Sequence, residues 1–251
     1  LHAYIKEELL NQIKANKYKP GDKIPTELEL CKDFNVSRTT VRTALNQLTL
    51  EGYLVRHQGR GTFVADQKLK QTLTQTVKRY SDQVAIQGKE AKIFVLSITV
   101  IPANEYLSQQ LEVAHNDPIQ CIERIRKAND EPTQYEIAYI PWNVAPGITE
   151  TQAASSLYAS LKNDFQVHVA KTIEHIEITL ADEICSKHLD CELHAPCFYI
   201  ETLAENENQE KVEYSRAYFR GDKTNFVLSE IILVLRTIRL DSKSYDASHR
   251  S

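Results

Sequence analysis

Thr26-Glu27-Leu28-Glu29-Leu30-Cys31-Lys32-Asp33-Phe34-Asn35-Val36-Ser37-Arg38-Thr39-Thr40-Val41-Arg42-Thr43-Ala44-Leu45-Asn46-Gln47-Leu48 is the stretch on which the fold turns. Thr26 followed three residues later by Glu29 is a capping-box pattern, so a helix starts there, with Leu28, Leu30, Cys31 and Phe34 as its apolar stripe. Asn35-Val36-Ser37 breaks that helix, and the Ser37 hydroxyl can cap a third one by accepting from an amide of its first turn. At about 100° per residue, Val41, Ala44, Leu45 and Leu48 fall on one side of the third helix and Arg38, Thr39, Arg42 and Asn46 on the other. Two helices joined by a tight turn make a helix-turn-helix outline. An amphipathic helix ordinarily turns such a face to solvent; this one carries Arg, Thr and Asn but no carboxylate of its own, which lets it approach phosphates. Arginine can bind guanine through two hydrogen bonds, and asparagine can do so for adenine.

Toward the N-terminus, Ile5, Leu9, Leu10 and Ile13 recur at helical spacing, and Lys19-Pro20-Gly21-Asp22 is a turn that ends this first helix. Toward the C-terminus, Gly52 to His57 and Thr62-Phe63-Val64 alternate as strands around Gln58-Gly59-Arg60-Gly61, a hairpin or wing behind the helices. Glycines on both sides of Arg60 slim the tip enough to enter a narrow groove where negative potential favours an arginine, although a Gly-Arg-Gly turn also serves as a plain soluble hairpin tip.

The chain has 251 residues, 42% hydrophobic and 25% charged, which suits one large or two modest globular domains and excludes disorder or a fibrous array. Residues 1–66 carry ten Lys+Arg against eight Asp+Glu, and residues 67–251 carry twenty against twenty-six, so the sign of the charge changes where the pattern changes. The reading is a DNA-binding domain over 1–66, a polar Thr/Gln-rich linker over 67–78, a second domain over 79–240 and a tail over 241–251, with no internal repeat. The longest apolar run is Ile231 to Leu235, far short of a membrane span, and the N-terminal residues do not show a basic stretch followed by an apolar core and a small-residue cleavage site, so a secreted chain is not expected. Five cysteines, an odd number in a chain with a real core, do not suggest a disulfide framework; a cytoplasmic location and no membrane partner are expected.

The second half reads as strands over 92–100, 120–127, 133–140, 172–180, 197–204, 212–219 and 226–240, with helices near 77–87, 105–111, 156–163 and 181–189. Turns such as Asn129-Asp130 and Gly221-Asp222 between long strands indicate an antiparallel sheet covered by helices, hence an α+β class. Arg124 and Arg126, two apart on one strand, point to the same face, where two guanidiniums repel unless an anion lies between them. An exposed charged strand face is the simpler alternative.

The first domain resembles the GntR family of bacterial transcription regulators. The residues that carry the resemblance are Pro20 to Glu27, Val36 to Arg42, Leu48, Glu51-Gly52 and Gln58 to Val64. It implies a winged helix whose third helix enters the major groove of double-stranded operator DNA and whose wing reaches the minor groove. Arg38, Arg42, Arg60 and Gly61 then stand at DNA-contacting positions, with Ser37, Thr39 and Thr40 as phosphate or base partners. The second domain resembles the effector-binding (UTRA) domain of the HutC subfamily, which is chorismate-lyase-like in fold. Here the resemblance rests on Arg124-Ile125-Arg126, Glu131-Pro132, Tyr135-Glu136, Tyr139-Ile140-Pro141, Ser156-Leu157-Tyr158, Glu213-Tyr214-Ser215-Arg216 and Phe219 to Lys223. In relatives that bind phosphorylated amino sugars the matching arginines grip the phosphate. The resemblance places Ser81 and Ser156 beside it, Glu136 on the sugar hydroxyls, and Tyr80 and Tyr218 as ring walls.

The expectation is therefore an effector-responsive repressor, acting as a homodimer on a pseudo-palindromic operator, with a small anionic effector such as a phosphorylated hexosamine. A urocanate-like acid or an unphosphorylated sugar is the alternative ligand; a lyase-like enzyme and a constitutive DNA-binding protein are the alternative functions. No nucleophile with an adjacent base and no Gly-rich phosphate loop speaks for an enzyme, and no cofactor is expected. Cys185, His188, Cys191, His194 and Cys197 recur every three residues like a metal cassette. On a helix such a series winds around the axis, and Pro196 would break the helix in any case, so no metal is expected.

Overall fold

A computed structural model describes residues 1–66, 68–73, 84–85 and 87–228. The first domain consists of α1 (His2–Lys14), α2 (Glu27–Phe34), α3 (Arg38–Leu50), β1 (Leu54–His57) and β2 (Gly61–Val64). The Thr26 and Glu29 capping box forms, and Asn35 ends α2 in the left-handed conformation. Ser37 caps α3 by accepting from the Thr40 amide. Ile5, Leu9, Leu30, Val41, Ala44, Leu45, Leu48, Leu54 and Val64 close over one core. Leu28 lies outside it at 65% exposure. Two residues at about 100° each separate it from Leu30, so the two cannot both face inward, and Leu30 takes the place.

The second domain is a single six-stranded antiparallel sheet in the order β4-β5-β6-β9-β8-β7, formed by β4 (Ala91–Pro102), β5 (Pro118–Ala128), β6 (Glu131–Pro141), β7 (Val169–Leu180), β8 (Pro196–Asn206) and β9 (Lys211–Arg220). The helices are α4 (Glu105–Leu111), α5 (Glu150–Ala153), α6 (Leu157–Asp164) and α7 (Glu183–Leu189). The four-residue α5 was too short to leave a periodic signal. Most of the helix read at 77–87 and of the strand read at 226–240, and the whole tail at 241–251, lie outside the described residues.

An internal repeat, absent from the sequence reading, governs this sheet. β4-α4-β5-β6 and β7-α7-β8-β9 follow the same course and meet where β6 pairs with β9. Asn104 and Asp182 cap the two helices, Glu112 and Asp190 end them in the left-handed conformation, and Pro118 and Pro196 start the following strands. The cross-strand pairs match too: Tyr135 donates to Glu123 at 3.1 Å and Tyr214 to Glu201 at 2.7 Å. What the halves share is capping and turn chemistry, with few identical side chains between, and that hid the repeat.

Side-chain alternation gives the sheet two faces. On one, α4 packs on Ile119, Cys121, Tyr139 and Tyr214, and α7 on Ile125, Tyr135 and Cys197. On the other, α5 and α6 pack through Ala153, Leu157 and Leu161 on Ile122, Ala138 and Ile140. The span read as a linker contributes β3 (Leu69–Leu73), which pairs in parallel with β10 (Thr224–Leu228).

The two domains meet at Gly52, just after α3. Gly52 has φ +75° and lies so close to the Asp222 backbone that a methyl group there would overlap the Asp222 carbonyl. Asp222 in turn holds Arg220 through two hydrogen bonds, at 3.0 and 2.6 Å, and Arg220 donates to the Asp190 carbonyl at the end of α7 at 2.9 Å. Lys68 donates to the Gly221 carbonyl at 2.8 Å and lies 5.3 Å from the centre of the Tyr53 ring. Gly52→Ala should therefore lose more stability in urea denaturation than Gly21→Ala. Gly21 has φ +84° but open space around it, so alanine there meets only the left-handed penalty of about 1–2 kcal/mol, whereas Gly52 must also displace Asp222. Equal losses would show that the contact does not persist in solution.

Candidate functional site

Two sites take shape, one on each domain. On the first, Arg38, Thr39 and Arg42 project from the exposed side of α3, opposite the buried Val41, Ala44, Leu45 and Leu48. Ser37 is committed to the helix start, its oxygen 3.2 Å from the Thr40 amide and 2.8 Å from the Thr40 hydroxyl. The wing is a hairpin with His57 opposite Gly61, and exposed Arg60 sits in its turn, its amide donating to the His57 carbonyl at 3.0 Å. Gly61 has φ +120°, a conformation that strains any other residue, and abuts the flexible end of the Lys23 side chain at the base of the tip.

A carboxylate from a different helix meets this face of α3. Glu27, first residue of α2, accepts from Arg38 Nε at 2.9 Å and from Arg42 Nε and Nη2 at 3.3 and 3.2 Å. Hydrogen bonds from Arg42 and then Arg38 hold Glu27 below the usual carboxylate range.

On the second domain, β5 and β6 pair with Arg124 opposite Glu136, and β6 and β9 with Glu136 opposite Ala217. Arg124, Arg126, Gln134, Glu136 and Glu213 consequently share the face that α5 and α6 cover. Arg124 is 1% exposed, with one Nη donating to the Ala153 carbonyl at the end of α5 at 3.0 Å and the other to Glu136. Arg126 reaches the other Glu136 oxygen at 2.8 Å, and Gln134 donates to it at 2.9 Å. The anion that two guanidiniums on one face require is thus supplied by the protein itself. Burial pushes the Glu136 carboxyl upward, but Arg124 and Arg126 outweigh it and hold the group below its ordinary range. The Nε of Arg124 is buried without a hydrogen-bond partner.

Glu213 and Tyr158 join this site although the sequence reading gave them no role. Tyr158 on α6 donates to Glu213 at 2.7 Å. Burial, and then the nearby Glu136 charge, push Glu213 up to about 7 against the pull of Tyr158, Ser215 and Arg124. Their motifs were visible, and a glutamate in alternation with Ser215 on a central strand was the available signal. Ser156 caps α6, its oxygen 3.4 Å from the Ala159 amide, three residues beyond the Ala153 carbonyl that binds Arg124.

Tyr218 does not belong to this face. It pairs with Tyr135 and stacks on it, ring centres 6.1 Å apart, so it projects from the opposite side of the sheet. The reason is parity: Ala217 shares the face of Glu136, and its neighbour must point away. Tyr80 and Ser81 lie outside the described residues. The Cys/His series is dispersed over α7, the following turn and β8. Cys185 and Cys197 are buried with thiols pushed up to about 12, chiefly by burial, and His188 stacks on Tyr135 at 4.7 Å. Among the described residues no group of three or more Cys, His, Asp or Glu is placed to hold a metal ion, and no helix is long and apolar enough to cross a membrane.

Comparison with known proteins bears on both domains. Residues 1–64 match the model of bacterial regulatory proteins of the gntR family, and residues 86–225 match that of the UTRA domain. The HTH-type transcriptional regulator YurK of Bacillus subtilis (strain 168) is 34% identical over 230 residues, 91% of this chain and 95% of the relative. A probable fructoselysine utilization operon transcriptional repressor of Escherichia coli (strain K12) is 32% identical, covering 91% of this chain and 93% of the relative. Among solved structures, PhnF from Mycobacterium smegmatis superposes with a TM-score of 0.65 at 26% identity, over 92% of this chain and 98% of that one. With both of its halves matched in order and relatives aligned along nearly its whole length, the chain belongs to the gntR family of bacterial regulatory proteins, a transcription regulator that joins a winged helix-turn-helix to a UTRA effector-binding domain.

Proposed function

We propose that the protein is a cytoplasmic repressor that binds a pseudo-palindromic operator as a homodimer, responds to a small anionic sugar derivative, and turns nothing over. The observation that carries the effector half is the pair Arg124 and Arg126 on one sheet face, roofed by α5 and α6, with Glu136 between them. A phosphorylated hexosamine fits that chemistry: phosphate on the guanidiniums, with Ser81 and Ser156 as further donors, and hydroxyls toward Glu136 and Glu213. The repressor of fructoselysine utilization named above supports a sugar-type effector. On the DNA side, Arg38 and Arg42 read bases in the major groove, Arg60 enters the minor groove, and Ser37, Thr39, Thr40 and Gly61 line the backbone approach. A second copy is supported by exposed Ile176, Ile178 and Leu180, which alternate along β7, an edge strand of the sheet among the described residues. Effector coupling runs through residues 67–78 and the Gly52–Asp222 contact, which the ligand must favour in one inter-domain arrangement over another.

Calorimetry with phosphorylated and unphosphorylated hexosamines, run beside operator binding, tests the reading. Arg126→Ala is the informative variant, because removing the almost fully buried Arg124 would take from Glu136 the more buried of its two guanidiniums and cost about 3–5 kcal/mol of stability. Loss of Arg126 should weaken the phosphorylated ligand by roughly 1.5–3 kcal/mol and the unphosphorylated one little. Equal binding of the two sugars by the wild-type chain would move the assignment to an unphosphorylated sugar or a urocanate-like acid.

Glu213 makes stability depend on pH. Its folded pKa of about 7 lies above the ordinary 4.5, so between these values the folded chain keeps a proton that the unfolded chain releases. Stability therefore falls as pH rises through that window and stays reduced above it. Glu213→Gln should flatten this part of the profile and melt higher than wild type at pH 8; a wild-type melting profile that does not decline from pH 5 to 7 would contradict the assignment.

Ile178 is 79% exposed, so lysine there costs the monomer little. Ile178→Lys should shift the mass measured by light scattering from dimer to monomer at micromolar concentration, and an unchanged dimer would place the interface elsewhere.

A further inference from the structure

Arg38 opens α3 and Arg42 stands one turn along on the same face. Glu27 reaches them from α2, with 22% of its side chain exposed against 72% and 53% for the two arginines. A guanidinium presents its N–H groups as two forks, one along the side (Nε with one Nη) and one at the end (the two Nη). In Arg42 both members of the side fork, Nε and Nη2, are closed on Glu27, and in Arg38 the Nε is. Either fork can span guanine O6 and N7; in both residues only the end fork is left open. The carboxylate is held below its usual range and Arg42 above its own, chiefly by the hydrogen bonds that join them, so the clamp is ionised whenever the protein is folded near neutral pH.

We infer that Glu27 is a positioning residue for base readout, which holds the side forks of Arg38 and Arg42 and presents their end forks to the major groove. The inference rests on the reading of Arg38 and Arg42 as base contacts. A long arginine free in solution must give up its rotamers on binding, and the clamp removes part of that loss before DNA arrives. It also sets a negative charge close to where phosphates pass, which works against binding to any sequence. The first effect favours the right sequence and the second lowers binding to every sequence alike, so together they raise the preference for the right sequence more than they raise affinity. A purely structural Glu27, serving the N-terminal end of α2 or tying α2 to α3, would change stability and affect all DNA alike.

The test starts with a duplex selected from a randomised pool by the wild-type chain, and a shuffled duplex of the same length. Dissociation constants of the full chain and its Glu27→Ala, Glu27→Asp, Glu27→Gln and Arg42→Ala variants are measured on both, with melting temperatures alongside. Glu27→Ala should weaken the selected duplex roughly tenfold or more, on the scale of two side chains set free, while the shuffled duplex binds as well or better. Glu27→Asp keeps the charge at the start of α2 but is too short to span both arginines, so its specificity should fall with its melting temperature held. Glu27→Gln keeps the reach and one acceptor and should recover part of the ratio. A selected-to-shuffled ratio unchanged in Glu27→Ala, or an equal loss on both duplexes, overturns the positioning role. If Arg42→Ala also leaves the ratio unchanged, base reading by this face fails with it; if Arg42→Ala alone collapses the ratio, only the role of Glu27 is lost.

Discussion

The ladder between β6 and β9, with Glu136 opposite Ala217 and Tyr139 opposite Tyr214, is the constraint on which the second domain depends. It joins the two repeats, and because side chains alternate, it decides what each face can do. One face collects Arg124, Arg126, Gln134, Glu136 and Glu213, and the other collects Tyr135, Tyr139, Tyr214 and Tyr218. A slip of one residue in this ladder would turn β9 over relative to β5 and β6, putting Tyr214 and Tyr218 on the face of the arginines and Glu213 on the face of Tyr135 and Tyr139. The apolar residues on both faces therefore hold the register that the charged site needs.

A carboxylate between two arginines occurs twice in the molecule, and burial gives the two instances different consequences. At Glu136 the partners are nearly out of water, so the desolvation cost is large and each charge is required by the others. An arriving anion must compete with, or share the guanidiniums of, a carboxylate that is already seated. At Glu27 the arginines are mostly exposed, so the same arrangement adds little to stability and acts on the orientation of the donors.

Between the two domains runs a short chain of contacts: the end of α7, Arg220, Asp222, Gly52 and the end of α3. Its middle step requires a glycine, since the Asp222 backbone occupies the space of any side chain. The recognition helix thus ends on the effector-binding domain rather than on a free tether, and β3 beside β10 adds a second tie.

Much of this was legible in the sequence because it depends on local chemistry. The capping box at Thr26, the break at Asn35, the stripe on α3 and the glycine-flanked Arg60 each follow from residues within a turn or two of one another. So does the shared face of Arg124 and Arg126, which alternation on one strand dictates. What lay beyond reach was every fact that needs two distant segments at once. Leu28 lost to Leu30 because only packing shows which side of a short helix is covered. Tyr218 went to the opposite face because its direction depends on pairing with a strand about eighty residues earlier. Glu27 reached Arg38 and Arg42 from another helix, and Glu136 closed on two arginines from a neighbouring strand. The sequence determined which groups could bind DNA or an anion, since that is a property of residue type and local spacing. Only the tertiary structure decided which carboxylate sits between which arginines, because that is a distance across elements.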